Sequence, residues 1–382
     1  MVLRSPLIVL VLLAVGCQPP GKIVRGPYLQ QTGATSTFIV WQTDRPLTGA
    51  VHYGTRSTRQ REQRAPNRRT MHAVRLHGLS PGTTYVYRIS AGGRTTRVFR
   101  FTTATADAQS LTFGVIGDFG SGSSAERRNA ELLEAEPVDL VLTVGDNVYP
   151  FGTEREYPRA LFGPFGSLMH RIALWPSLGN HDYGAEEGVP LRGTAVAYLR
   201  NFVLPARPGG ERYYSFRRGN AEFLAIDSER TSFAPGSPQY QWIARTLARS
   251  HACWKIPYFH HPVHPEYEHP MAGDLTRQAQ LERWLVPLFE RYGVKLVLTG
   301  HEHNYVSTRP LIGGHPNQRG IVYIISGGGG AGLDPLPPQS SPLSAARGRF
   351  FQHLLVSIHR RRAEVRAIDA AGRVRDRVRL AC

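Results

Sequence analysis

Short runs of β-branched and aromatic residues recur at close spacing near the start of the chain. These runs lie at residues 36–43, 51–54, 72–76 and 85–89. Runs of this length, several of which alternate apolar with polar side chains, predict β-strands, and a turn at 80–82 separates two of them. We therefore predict an all-β sandwich over residues 22–105, which serves either as a recognition arm or as a packing and spacer domain.

The pattern changes after a polar linker at residues 102–109. Apolar runs then alternate with segments of helical periodicity, which predicts an α/β domain over residues 110–382. The predicted strands lie at 111–116, 140–144, 223–226, 256–259, 294–298 and 321–325. The predicted helices lie at 125–135, 239–250 and 278–292. Residues 353–358 and 364–368 read as a hairpin at a sheet edge.

The 382-residue chain carries a net charge of +17, almost entirely from arginine. A basic surface suits a nucleic acid, an anionic membrane or a phosphorylated substrate. The charge is spread along the chain, however, and also fits the arginine codons of a GC-rich genome. We therefore predict no specific nucleic-acid partner and interpret the arginine-rich stretch 56–69 as a solvated loop.

The first 21 residues read as an export signal. Arg4 precedes an apolar run, Leu7–Val15, which is too short to cross a bilayer, and Gly16-Cys17 follows. The run 13–17 resembles a bacterial lipobox, in which Cys17 carries lipid, although Ala14 replaces the more usual leucine. We expect an exported protein that is either lipid-anchored to the bacterial cell envelope or cleaved by ordinary signal peptidase and periplasmic or secreted.

Two cysteines remain beyond this segment, Cys253 and Cys382. In an oxidising compartment they can pair. Because Cys253 lies just before an apolar strand, a buried free thiol is an equal alternative.

Several predicted strands of the α/β region lead directly into polar side chains that bind metals well. The segments are Gly117-Asp118, Gly145-Asp146 with Tyr149, Gly179-Asn180-His181, His260-His261-Pro262, and Gly300-His301-Glu302-His303. Most of these signals are weak alone, since glycine beside aspartate usually marks a turn and His260-His261-Pro262 could be an ordinary surface cluster, and Gly300-His301-Glu302-His303 after an apolar strand is the strongest single element. Because ligands gather beyond the carboxyl ends of strands in an open α/β sheet, the five together predict a metal site at one rim.

This series resembles the calcineurin-like metallophosphoesterases, over nearly all of residues 111–370. Within that superfamily the chain is most similar to the purple acid phosphatases. Most relatives place a metal-binding histidine where Gly120 stands, whereas Tyr149 stands three residues after Asp146. The purple acid phosphatases place a ligating tyrosine there. Trp41 together with residues 79–87 resembles a fibronectin type III module.

The resemblance implies a fold and a set of ligands. The α/β region would be a sandwich of two mixed sheets flanked by helices. Carried over position by position, a first metal takes Asp118, Tyr149 and His303, a second takes Asn180, His260 and His301, and Asp146 bridges both. A phenolate suits Fe(III), and the mixed amide and imidazole site suits Zn, Mn or Fe(II).

Two further histidines are expected to act on the substrate rather than on metal. His181 would hydrogen-bond the phosphate and protonate the leaving alkoxide. His269 matches a second substrate-side histidine of the family, and His264 is a rival for that role.

The implied reaction is direct hydrolysis of a phosphorylated small molecule, a phosphate monoester, by metal-bound hydroxide. A phosphodiesterase acting on nucleotides or phospholipid headgroups is the alternative enzyme. A surface-binding or adhesion module with a vestigial site is the non-enzymatic alternative, and the complete ligand set argues against it. The sequence predicts no particular oligomeric state.

Overall fold

The computed structural model describes residues 21–106, 108–184, 193–266 and 273–382. Its first part contains strands only. They are β1 (Ile23–Gln30), β2 (Ser36–Leu47), β3 (Gly49–Gly54), β4 (Arg61–Arg64), β5 (Arg69–His77), β6 (Thr84–Ala91), β7 (Arg94–Thr95) and β8 (Phe99–Thr102).

These strands form two antiparallel sheets around one core. One sheet has the order β1-β2-β5, and in the other β4-β3-β6 continues to β7 and also to β8. Strict alternation along β6 buries Tyr85, Tyr87 and Ile89, and Trp41 packs into the same core from β2. The all-β prediction is confirmed. The prediction that residues 56–69 form only a solvated loop is wrong. The backbone of β4 pairs with β3, while the side chains of β4 stay mainly in solvent.

The second part alternates strands with helices. Its strands are β9 (Ser110–Ile116), β10 (Leu140–Val144), β11 (Leu174–Ser177), β12 (Tyr214–Arg218), β13 (Ala221–Ala225), β14 (Trp254–Tyr258), β15 (Leu296–Thr299), β16 (Tyr305–Thr308), β17 (Leu311–Ile312), β18 (His315–Pro316), β19 (Val322–Ser326), β20 (Ser344–Gly348), β21 (Gln352–His359), β22 (Arg362–Asp369) and β23 (Val374–Ala381). Its helices are α1 (Ser124–Ala135), α2 (Gly163–Met169), α3 (Val196–Asn201), α4 (Pro238–Arg249), α5 (Asp274–Gln280) and α6 (Val286–Arg291). π-Helical turns at Pro158–Phe162 and Leu281–Leu285 lead into α2 and α6.

Two mixed sheets pack face to face in this part, which confirms the predicted sandwich. The six-stranded sheet has the order β11-β10-β9-β21-β22-β23, and the seven-stranded sheet has the order β12-β13-β14-β15-β19-β16-β20. Every residue of β10 is buried, as expected for a parallel strand covered on both faces. Phe113 and Phe223 meet edge to face between the sheets, with their centroids 5.2 Å apart.

The outer face of the seven-stranded sheet lies under helices. Leu224 and Val297 point away from the sandwich interior and join Ile243 of α4 and Phe289 of α6 in a separate apolar cluster. Because successive side chains of a strand point to opposite faces, β13 and β15 contribute to both cores.

The predicted hairpin forms, but its place in the sheet differs from the prediction. β21 is an interior strand that pairs antiparallel with both β9 and β22, and β23 forms the edge. β23 is not predicted from the sequence because arginines occupy three of its five exposed positions, while Val378 and Leu380 are only partly covered.

Several contacts join the β-sandwich to the α/β region, although no strand pairing between them occurs among the described residues. The hydroxyl of Tyr28 donates to the carbonyl of Asn201 over 2.7 Å, and that of Tyr87 donates to the carbonyl of His170 over the same distance. In the described part of the chain, every helix is too short or too polar to span a lipid bilayer.

Cys253 and Cys382 form a disulfide. Cys253 immediately precedes β14 of the seven-stranded sheet, and Cys382 immediately follows β23 of the six-stranded sheet. The bond therefore links the two sheets covalently.

Candidate metal centre

The polar residues that follow the core strands meet at one rim of the sandwich. Asp118, Asp146, His260 and His301 each lie two positions beyond the last residue of β9, β10, β14 and β15, and Asn180 lies three beyond β11. All five side chains are buried. They come together because the strands within each parallel group end at the same edge.

Four donor atoms surround one point of this rim. The hydroxyl of Tyr149 lies 3.2 Å from Asp118 Oδ1, 2.8 Å from Asp146 Oδ2 and 3.1 Å from His303 Nε2. His303 Nε2 lies 3.5 Å from Asp118 Oδ1. Ligand atoms that surround one ion at about 2.1 Å lie about 3.0 to 3.4 Å from one another. The four distances, from 2.8 to 3.5 Å, bracket that range, so the donors predicted for the first metal lie close enough together to share one ion.

A second group of donors adjoins the first. His260 Nε2 lies 2.8 Å from Asn180 Oδ1, 3.2 Å from His301 Nδ1 and 3.5 Å from Asp146 Oδ2. Asp146 Oδ2 faces both groups, since Tyr149 contacts the same oxygen. The residues present thus fit two cations that share one carboxylate oxygen.

Each aspartate uses its other oxygen to hold the backbone of the rim. Asp118 Oδ2 accepts from the backbone amide of His301, and Asp146 Oδ1 accepts from that of His181, both over 2.9 Å. One oxygen of each carboxylate is thereby left to face the donor groups. These amide bonds also tie the strand ends to one another, so the donors are held in place by the fold itself.

The rim is built from unusual backbone. Asp118, Asp146 and His301 have φ values of 55°, 52° and 73°, in the left-handed region that side chains other than glycine rarely adopt. Gly145 precedes Asp146 with a φ of 90°, and a Cβ there would lie 2.4 Å from His260 Nδ1. A Cβ at Gly179 would lie 2.1 Å from Asp146 Oδ1. These glycines therefore make space for the ligands as well as turning the chain.

The pairing of Gly120 with Tyr149 has a steric basis. A Cβ at position 120 would lie 1.9 Å from the carbonyl oxygen of Asn147 and 2.7 Å from the Cα of Val148. The Tyr149 amide donates to the carbonyl of Gly120 over 2.8 Å. The turn that presents Tyr149 thus occupies the space that a side chain at 120 would need.

The three histidines of the donor groups, His260, His301 and His303, differ in how readily they bind a proton. Burial works to lower the pKa of His260 and of His303, but neighbouring carboxylates outweigh it and raise each to about 9. Burial and the adjacent His261 hold the pKa of His301 well below its usual value. A cation must therefore displace protons from His260 and His303, so metal binding is expected to weaken as the pH falls.

The remaining predicted site histidines lie in different places. His181 Nδ1 donates to the carbonyl of Pro150 over 2.6 Å, and its Nε2 lies 3.8 Å from Asp146 Oδ2, beside the donor groups rather than among them. His264 contacts Glu282 and packs edge-on against Tyr323. His269 lies outside the described residues.

Three buried or partly buried carboxylates behind the rim, Asp182, Glu229 and Asp274, are not among the predicted site residues. Asp182 Oδ2 accepts from the backbone amide of Gly179 over 2.9 Å and from the side-chain amide of Asn147 over 2.8 Å, and so braces two of the turns. Glu229 and Asp274 lie behind His301 and contact His261. Asp182 directly follows His181 in the sequence, and that position could have marked it, whereas no local pattern marks Glu229 or Asp274.

Comparison with known proteins gives two family matches. Residues 111–305 match the calcineurin-like phosphoesterase family, and residues 24–103 match the purple acid phosphatase N-terminal domain.

Similar individual proteins include purple acid phosphatase 15 of Arabidopsis thaliana, which is 27% identical over 68% of this chain and 53% of its own length. Phosphoenolpyruvate phosphatase of Allium cepa is 29% identical over 72% of this chain and 56% of its own length. This chain thus spans little more than half the length of these two relatives. Among solved structures, a purple acid phosphatase from yellow lupin (Lupinus luteus) seeds has a TM-score of 0.79 at 18% identity, covering 93% of this chain and 74% of that one.

Proposed function

Because this chain belongs to the calcineurin-like phosphoesterase family, we propose that it hydrolyses phosphate monoesters at the rim described above. The family, with its purple acid phosphatase relatives, implies a centre of two metal ions. The observation that carries the proposal is the convergence of seven donor side chains into two groups that share Asp146 Oδ2. A vestigial site would have no reason to keep both groups complete.

The two groups divide the binding of the metals. Asp118, Tyr149 and His303 would hold the first ion, Asn180, His260 and His301 the second, and Asp146 would touch both. Two bound ions supply an activated water near neutral or acidic pH and neutralise charge on the phosphoryl oxygens.

The chain's own residues must then bind, orient and protonate the ester. His181 is suited to this task because its Nδ1 is engaged by the carbonyl of Pro150. This contact fixes the ring and leaves Nε2 directed to the mouth of the centre, 3.8 Å from Asp146 Oδ2. When protonated, Nε2 can donate to a phosphate oxygen and then to the departing alkoxide.

We further propose that the first ion is Fe(III), with Tyr149 as a phenolate ligand, and that the second is Zn, Mn or Fe(II). Burial, Asp146 and Asp118 together hold the pKa of Tyr149 well above its usual value, so the hydroxyl stays protonated until a cation reverses that preference. A small, highly charged cation does this most strongly. Phenolate-to-Fe(III) charge transfer would colour the protein pink or purple.

The direct test combines metal analysis with a panel of esters. Protein purified in air is expected to hold two metal ions per chain and to cleave p-nitrophenyl phosphate faster than bis-(p-nitrophenyl) phosphate. Phosphoenolpyruvate belongs in the panel, because the Allium cepa relative is named for it. Faster cleavage of the diester would favour the phosphodiesterase alternative. Two bound ions without cleavage of any ester would refute the enzymatic proposal.

We also propose that the protein is exported, with Cys17 as a lipid anchor to the cell envelope. The Cys253–Cys382 disulfide supports export, since such bonds persist in oxidising compartments. Cys17→Ser is expected to abolish labelling by a lipid precursor. A wild-type protein that carries no lipid and begins at another residue would refute the anchor.

A further inference from the structure

His301 uses its two ring nitrogens in opposite directions. Nδ1 lies 3.2 Å from His260 Nε2, within the second donor group, whereas Nε2 lies 3.0 Å from Asp274 Oδ2. The proton of the neutral ring therefore belongs on Nε2, where a carboxylate accepts it. This arrangement leaves the lone pair of Nδ1 directed to the metal side.

The other two ligand histidines have weaker supports. His260 Nδ1 bonds to the carbonyl of Val144 over 3.0 Å, and His303 Nδ1 bonds to the carbonyl of Gly332 over 2.6 Å. An ionised acceptor makes a stronger hydrogen bond than a neutral carbonyl and makes the imidazole a better electron donor. The ring of His301 is thus supported by a carboxylate, whereas the rings of His260 and His303 are supported by backbone carbonyls.

Asp274 is itself contacted from behind by the buried side chain of His261 and by the partly buried Arg277. His261 Nε2 lies 3.0 Å from Asp274 Oδ1, and His261 Nδ1 lies 2.6 Å from Glu229 Oε1. The ring of His261 stacks on that of His301 with the centroids 4.0 Å apart. Arg277 donates to the carbonyl of Glu229 over 3.0 Å. The Arg277 guanidinium also lies 3.6 Å from Glu229 Oε2 and 3.9 Å from Asp274 Oδ1, so it faces both carboxylates of the cluster.

We propose that Asp274 is a positioning residue for the second metal ion. It fixes the ring orientation and tautomer of His301, and the Glu229–His261 pair fixes Asp274. This inference rests on the proposed function, because it requires a metal at the second donor group. The proposed centre would then include supporting residues behind its ligands, from the start of α5 and from the loop after β13.

His261, Asp274 and His301 could instead hold a cation of their own, since one donor atom from each lies within 4.8 Å of the others. Hydrogen bonding is favoured, because the positively charged Arg277 guanidinium already lies 3.2 Å from His261 Nε2 and 3.9 Å from Asp274 Oδ1, where it would repel a bound cation. A cation bound by these three residues would also displace the proton from His301 Nε2. The two arrangements differ in the number of ions bound.

The test is a metal titration of the full-length, metal-free chain with Zn²⁺, read as the affinity and stoichiometry of each ion. Asp274→Asn keeps the size of the side chain but removes its charge, and Asp274→Ala removes the acceptor. We expect the second ion to bind about 10- to 100-fold more weakly, with the larger loss in the alanine variant, while the first ion is unaffected. Glu282→Gln is the matched control, since this acid is 46% exposed and contacts His264 rather than the cluster.

A second readout does not depend on metal. In the metal-free wild type, nitrogen-15 NMR is expected to show His301 protonated at Nε2 with a slowly exchanging proton, and Asp274→Ala should remove that protection. Unchanged affinity for the second ion in both variants, with the tautomer unaltered, would overturn the inference. So would a wild type with three ions of which Asp274→Asn loses one.

Failure of the proposed function is distinguishable from failure of this inference. A wild type that binds two ions, loses affinity for one in the Asp274 variants and cleaves no phosphate ester would refute the phosphatase proposal alone. A wild type that binds no metal would overturn both.

Discussion

The two sheets of the α/β region contribute different chemistry to the rim. The six-stranded sheet delivers oxygen donors, from Asp118, Asp146, Tyr149 and Asn180, whereas the seven-stranded sheet delivers nitrogen donors, from His260, His301 and His303. Each donor group draws on both sheets. Neither donor group is complete without both sheets, so the proposed centre depends on how the sheets pack and would in turn hold them together.

The strongest test of this division removes the oxygen donor that both groups share. Asp146→Ala is expected to abolish binding of both ions and to lower activity by more than the roughly 10²- to 10⁴-fold that a single general acid contributes. Metal content and ester hydrolysis measure the effect. Asp44→Ala, at an exposed position of the β-sandwich, is the control. Retention of one tightly bound ion would show that the two groups are independent.

A smaller effect is expected from changing His181, which follows β11 of the six-stranded sheet but belongs to neither donor group. His181→Ala should keep both ions and lower kcat by about 10²- to 10⁴-fold, because its proposed partner is the substrate. Metal content and steady-state rates are measured together, with the exposed His315→Ala as control. Loss of metal would place His181 among the ligands instead.

Tyr149→Phe separates the two groups, since its hydroxyl contacts the first group but not the histidines of the second. We expect the first ion to bind more weakly by at least the roughly 10- to 100-fold that the loss of a hydrogen-bonding partner of a ligand costs, because Tyr149 is proposed to touch the ion directly. The second ion and the fold should be retained. If the first ion is Fe(III), the visible absorption band should disappear as well, whereas Tyr240→Phe on α4 should keep it. A colourless wild type that holds only Zn or Mn and is fully active would refute the iron–phenolate proposal.

The smallest effect on activity is expected where the sheets are joined covalently, at the disulfide. Replacing Cys253 and Cys382 by serine should lower the free energy of unfolding by about 3 to 5 kcal/mol. Activity at 25 °C should stay unchanged, because Cys253 precedes β14 whereas the donor His260 follows the other end of that strand. Thermal unfolding with and without a reducing agent measures this, and the serine variant should lose its sensitivity to the reductant. A proportional loss of activity at 25 °C would show that the rim needs this link.

Much of the fold could be predicted because local sequence constrains local backbone. The alternating or continuous apolar runs located β6, β9 and β10 to within a residue or two. Strands whose apolar face is thin were missed, and β23 is the clearest case. The arginines of β23 make the segment look polar throughout, and its alternation of partly covered and exposed side chains becomes meaningful only because β22 pairs with it.

The candidate site likewise contains some residues that the sequence could predict and others that it could not. The sequence by itself determined which side chains follow the core strands, because a glycine and a polar donor after an apolar run are adjacent along the chain. It could not assign Glu229 or Asp274 a role. These residues are 45 positions apart, with no shared motif, and meet only where the loop after β13 and the start of α5 enclose His261. Only the tertiary structure decided that contact, since hydrogen bonds between distant segments depend on how the elements pack and not on the order of neighbouring residues.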